Sequence, residues 1–186
     1  LPSQCQHYGL GFIIQRSWAT RIHSFQSVSD RIAVLELQLS NKTKASAINV
    51  YTPHMGHDEI ETMDFYCELS ATYIKAHRTS TMVLICGNFN AKIGQREISI
   101  HHIMGEHSRD HWNSNRHKLA LFCSKYKLFL SNTTFPHKAR HMTTWKGQHK
   151  RTNRTTFPIY NQIDYLVIPH RHKTSLRKAR SYAGTL

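Results

Sequence analysis

Apolar residues along this chain fall in short clusters separated by polar stretches, and the pattern predicts strands alternating with a few helices. Residues Arg31 to Leu39 alternate Ile32, Val34 and Glu36 against Ala33, Leu35 and Leu37, with apolar groups on both faces near the start. Burial on both sides implies a layered core. Gly9 to Gln15 reads as an earlier strand and Ala45 to Tyr51 as a later one, released into a loop by Pro53, which has no N–H for a ladder. The run Thr81-Met82-Val83-Leu84-Ile85 predicts a further buried strand, followed by Leu128 to Leu130 and by Ile163 to Ile168 before Pro169.

Helical spacing is found in two places. Asp58-Glu59-Ile60-Glu61 has the order of an N-cap with Glu three residues later, and Ile60, Met63, Cys67 and Ile74 then recur at helical intervals to about His77. This predicts an amphipathic helix laid on the sheet by that stripe. Residues Arg116 to Lys127 predict a second helix, with Leu119, Phe122, Cys123 and Tyr126 on its core face. Two segments lack periodicity: Gln95 to Asn115, polar and histidine-rich, and the basic stretch Lys146 to Thr156. Both read as surface loops placed to meet phosphates. No internal repeat or linker divides the chain, so residues 1–186 read as one domain.

Charge narrows the partner. The 186 residues hold 25 Lys and Arg against 11 Asp and Glu, a formal net charge of +14, and this is the footprint of a polyanion binder. Nucleic acid is the natural candidate, with a solvated basic surface as the alternative reading of charge alone. No run approaches the roughly 18 apolar residues of a membrane span, and the start lacks the regions of a signal peptide. Absence of an initiator Met reads as a fragment. Cys5, Cys67, Cys86 and Cys123 are widely spaced with no C-x-x-C pair, which predicts reduced, mostly buried thiols. His54 and His57, with His101, His102, His107, His111 and His117, lack the Cys or carboxylate spacing of a metal site and read as exposed loop residues.

Four short blocks carry the chemistry. Cys86-Gly87-Asn88-Phe89-Asn90-Ala91 differs by one residue from the strand-end motif G-D-F-N-A, and Val50-Tyr51-Thr52-Pro53, Thr144-Trp145 and Asn161-Gln162-Ile163-Asp164-Tyr165 flank it in order. Together they resemble the Y-x-P, G-D-F-N-A, T-W and N-Q-I-D-Y blocks of the endonuclease/exonuclease/phosphatase superfamily. Within it the likeness is to endonuclease domains of non-LTR (LINE-like) retrotransposons and their craniofacial-development-protein-2-like relatives, and it covers nearly the whole chain.

The resemblance implies an α/β fold, a four-layer α/β/β/α sandwich of deoxyribonuclease I type, here truncated at both ends into a partial domain. It implies magnesium-dependent hydrolysis of DNA phosphodiesters, and a nuclear location. At the position of Asn88 the family has the carboxylate that deprotonates the attacking water; Asn90 would hydrogen-bond the phosphate or water, Tyr51 would donate to the phosphate near the leaving group, and Asp164 would orient a histidine. That histidine belongs to an S-D-H block, and the metal-binding Glu to an upstream block, neither present here. An amide at Asn88 cannot accept the proton at neutral pH. The expectation is therefore a degenerate endonuclease domain, inactive as it stands, with magnesium not tightly held. A non-catalytic nucleic-acid-binding remnant and a phosphoester phosphatase are the alternatives. Phosphate and base contacts are expected from Trp145, Lys146, Lys150, Arg151, Arg154 and Asn161, and further phosphate contacts from Arg171, Lys173, Arg177, Lys178 and Arg180.

Overall fold

A computed structural model describes residues 9–109, 111–150 and 156–182. Its centre is a six-stranded sheet formed by β1 (Ile22–Ser27), β2 (Ile32–Ser40), β3 (Thr43–Tyr51), β4 (Met82–Asn88), β5 (Leu128–Leu130) and β8 (Asp164–Pro169), in the spatial order β1-β2-β3-β4-β8-β5. β3 and β4 run parallel, and every other pairing in the sheet is antiparallel. The parallel step needs a crossover, supplied by helix α1 (Glu59–Thr79). Helix α2 (Asn115–Lys125) precedes β5, and β6 (Trp145–Lys150) pairs with β7 (Thr156–Asn161) as a separate two-stranded sheet.

One sheet face builds the core. Register places Ile32 and Val34, Ile48 and Val50, Val83 and Ile85, Tyr165 and Val167, and Leu128 and Leu130 on the same side, where they pack against Phe65, Leu69, Tyr73 and Ala76 of α1 and Leu119, Phe122 and Cys123 of α2. Each fully buried aliphatic or aromatic group here stabilises the fold by about 1.5–3 kcal/mol. Both helices therefore cover a single face. The other face carries Tyr51, Cys86, Asn88, Asp164 and Leu166, all half-buried.

The α/β class is as expected, and among the described residues the layers seen are the helices, the six-stranded sheet and the β6–β7 hairpin. Several local expectations are corrected. Residues 9–15 join no ladder: Gly9 has φ +63°, Ile13 is fully exposed, and the segment meets the sheet through Asn49 Nδ2, which donates to the Gly11 carbonyl at 2.9 Å. Among the described residues the first strand is instead β1, exposed along its whole length, whose mostly polar residues gave no burial pattern to read.

Helix α1 starts where expected, with the Asp58 side chain accepting from the Ile60 N–H at 3.2 Å. Its buried stripe is different. Thr62, Phe65, Leu69, Thr72, Tyr73 and Ala76 face the sheet, while Ile60, Met63, Cys67 and Ile74 face outward. Both stripes repeat at 3.6-residue spacing, and the one with the larger rings wins the core. Glu61, placed to close a capping box, bonds to Arg31 at 2.6 Å and His57 at 2.7 Å.

The 95–115 segment is less loop-like than its composition implies, because Ile100, Ile103 and Met104 are buried and Met104 bridges to Leu130. The basic stretch after residue 145 enters β6, with residues 151–155 outside the described part. Thiols are free at Cys67, Cys86 and Cys123; Cys123 is buried, Cys86 half-buried and Cys67 exposed, against the expectation of mostly buried groups. Cys5 lies outside the described residues.

Candidate functional site at the ends of β3 and β4

Three of the four candidate catalytic residues form one row across the sheet. Tyr51 ends β3, Asn88 ends β4 and Asp164 begins β8; Tyr51 is the register partner of Asn88, which is in turn the partner of Asp164. Register partners project to the same side, with Cβ atoms of antiparallel neighbours roughly 4.5–5.5 Å apart. The row is tied by backbone bonds on both sides, the Thr52 N–H donating to the Asn88 carbonyl and the Phe89 N–H to the Ile163 carbonyl, each at 2.8 Å.

Gly87 makes the close approach possible. Its φ is +133°, and a Cβ there would lie 2.1 Å from the Val50 carbonyl oxygen. The chain then turns sharply, with Asn90 in the left-handed region at φ +47°. Asn tolerates this conformation better than most residues. Asn88 Oδ1 accepts from the Asn90 N–H at 2.7 Å, and Asn90 Nδ2 donates to the Thr52 carbonyl at 2.6 Å. Asn113 and Asn115 donate to the Asn90 carbonyl at 2.8 and 3.2 Å, and Asn113 Oδ1 accepts from the Lys92 N–H. Asn90 is thus the junction of three loops, and its amide is engaged with the chain itself.

Electrostatics differ along the row. Burial pushes the Asp164 carboxyl above its ordinary range, with a hydrogen bond from the Thr144 hydroxyl acting in the opposite direction. Thr144 Oγ1 also accepts from the Ile163 and Asp164 N–H groups at 3.0 and 3.2 Å, which anchors the T-W block beneath the row. Behind Tyr51, the guanidinium of Arg31 sits 5.7 Å from the ring centroid. Arg31 is buried and pairs with Glu61, whose carboxyl is lowered first by the His57 hydrogen bond and also by Arg31. Arg31 was given no role at the site by the sequence reading.

A cavity of about 550 Å³ opens beside Asp164. Thr144, Trp145, Lys146 and Tyr160 line it together with Arg109, Arg140 and Tyr182, so cations and rings from four separate segments converge there. Sequence spacing could not reveal that convergence. Trp145 is 42% exposed, and its ring covers Gly147, where a Cβ would lie 1.9 Å from it. Lys146 is exposed, whereas Asn161 is 9% exposed, and its carbonyl accepts from the Thr144 N–H at 2.9 Å. Asn161 therefore sits at the base of the hairpin. Lys150 belongs to β6, and Arg151 and Arg154 lie outside the described residues.

The strand-end row is a sparse match to magnesium: it offers a phenol, an amide and a single carboxyl, whose pKa burial raises, to an ion that prefers hard oxygen donors in octahedral array. Among the described residues no group of three or more His, Cys, Asp or Glu could hold a metal ion.

Comparison with known proteins identifies the fold. The fold is that of the deoxyribonuclease I-like endonuclease/exonuclease/phosphatase proteins. It is shared with the catalytic domain of Xenopus laevis APE2 (TM-score 0.51, 19% identity, 78% of this chain and 48% of that one) and with the Neisseria 3′ phosphatase NExo bound to a product DNA hairpin (TM-score 0.50, 13% identity, 81% and 56%). In sequence the chain is similar to craniofacial development protein 2 of Bos taurus and of Tragulus javanicus, 26% identical to each over 95% of this chain. It spans 28% and 29% of those two proteins. No family model matches the chain. No helix among the described residues is long and apolar enough to cross a membrane.

Proposed function

We propose that this chain is a retrotransposon-type endonuclease domain that has lost catalysis and binds DNA through its phosphate backbone. The observation that carries the reading is Asn88, an amide standing between Tyr51 and Asp164 at the strand ends where water must be activated. Hydrolysis needs a group that accepts a proton from that water, and a carboxamide does not. Losing a general base alone costs about 10²–10⁴-fold in rate.

Binding is supported by the net charge of +14 and by Arg109, Arg140 and Lys146 gathered around the cavity beside the row. Lys178 and Arg180 line a second cavity that shares Tyr182 with the first, whereas Arg171 and Lys173 follow the far end of β8, where Arg171 donates to the Thr81 carbonyl at 3.0 Å. Lys150, Arg151, Arg154 and Arg177 enter the reading by charge alone, and a DNA-binding partner class accords with a nuclear location. Contacts of this kind read the backbone and tolerate sequence.

The test uses two unrelated duplexes and a supercoiled plasmid. Affinity should fall with salt by roughly 0.9 log units per log unit for each phosphate neutralised, equally for both duplexes. Lys146→Ala should lower that slope by about one. With magnesium present, plasmid should remain supercoiled. Nicking that is abolished both by chelator and by Tyr51→Phe would overturn the loss of catalysis, and salt-independent affinity would overturn backbone binding.

A further inference from the structure

The outward stripe of α1 has an unexpected neighbour in α2. Ile60 is 65% exposed, Met63 57% and Ile74 40%, and Leu121 of α2 is 71% exposed beside them. Between the two helices runs a groove of about 240 Å³ lined by Met63, Tyr66, Cys67, Leu121, Lys118 and Lys125. Single exposed apolar residues are ordinary on a protein surface; Met63 and Cys67 of one helix facing Leu121 of another across a groove form a patch. Burial of the Phe65–Leu69–Tyr73 stripe already anchors α1 to the sheet, so the outer stripe is unnecessary for the fold.

We propose that this groove docks an acidic amphipathic helix of another protein. Lys118 and Lys125 stand seven residues apart on α2, about two turns or roughly 10.5 Å; Lys125 lies over the Tyr126 ring, and Lys118 pairs at 3.5 Å with the exposed Glu59, a surface contact weak enough to be exchanged for carboxylates spaced seven apart on a facing helix. Apolar side chains between those carboxylates would fill the floor, where unbranched Met63 and the Cys67 thiol adapt to differing shapes. Charge selects an acidic partner over a second copy, because two copies would bring together chains of +14 each. The groove lies on the sheet face opposite Tyr51, Asn88 and Asp164, so a docked helix leaves the DNA-facing row open.

The experiment titrates the whole chain against a fluorescein-labelled synthetic helix of about 16 residues, long enough to span roughly 24 Å. Leu recurs on one face of this peptide, with Glu at two positions seven apart. Its affinity should exceed that of a scrambled peptide of identical composition by at least about tenfold, and Met63→Glu with Leu121→Glu should erase the difference. Duplex DNA affinity of the variant should change little, which separates this surface from the proposed DNA site. Equal binding of the scrambled peptide would reduce the effect to bulk charge and overturn the proposal. So would equal binding of a peptide with Lys in place of Glu. Self-association of the parent chain in sedimentation velocity, removed by Leu121→Ser, would assign the groove to a second copy and overturn the acidic partner.

Discussion

Asn88 lies directly across the β4–β8 ladder from Asp164, so an amide and a partly desolvated carboxyl occupy adjacent positions on the same face of the sheet. A neutral neighbour suits this carboxyl, because a second charge beside it would raise its pKa further. An aspartate at position 88 would instead set two like charges side by side at the strand ends.

Asp164→Asn is expected to stabilise the chain at neutral pH. The folded-state pKa of Asp164 is raised above its ordinary 3.8, so its contribution to stability is fully present below that value and is lost as pH rises through the folded pKa. The amide variant avoids this loss. Thermal melts of parent and variant should diverge at pH 7, with the variant higher, and converge as pH falls below 3.8.

Asn88→Asp is expected to act in the opposite sense and to restore no cleavage. Two adjacent carboxyls in one row interact strongly and titrate as a pair, with at least one held protonated well above its ordinary range. Stability relative to parent should therefore drop more at pH 8 than at pH 4. On the proposed reading, plasmid incubated with the variant and magnesium should stay supercoiled, since two carboxyls that share protons offer the ion few ionised oxygen ligands.

Gly87→Ala should destabilise by about 2–4 kcal/mol, because the added Cβ meets backbone and φ lies where side chains are strained. The obstruction is the Val50 carbonyl, which cannot swing away without breaking the β3–β4 ladder. Urea unfolding of the two proteins measures this directly; a change below 0.5 kcal/mol would show that the strand ends can separate.

At Asn90 two substitutions divide backbone from side chain. Asn90→Gly keeps the left-handed turn and loses only the bond to the Thr52 carbonyl, whereas Asn90→Ala loses both. Ala should be less stable than Gly by about 1 kcal/mol, reversing the usual order of these residues. Equal stabilities would mean that the turn relaxes to negative φ.

Much of this protein follows from the chain alone. Alternation of Ile32, Val34 and Leu35, the β-branched run before Gly87 and the Asp58 cap specify local structure because strand and helix periods are written in neighbouring residues. The blocks ending in Tyr51, Asn88 and Asp164 announce strand termini in the same local way, and the structure brings those three residues into one row. Longer-range choices were not legible. Two stripes of α1 both satisfy a helical period, and only the burial of Phe65 and Tyr73 in the common core, with Tyr73 edge-on to Phe122, decided which faced the sheet. Arg31 beneath Tyr51, and Arg109, Arg140 and Tyr182 around the cavity with Lys146, come from segments far apart in sequence. Their convergence depends on the parallel β3–β4 crossover and the return of β8 beside β4, contacts between distant residues that no local spacing encodes.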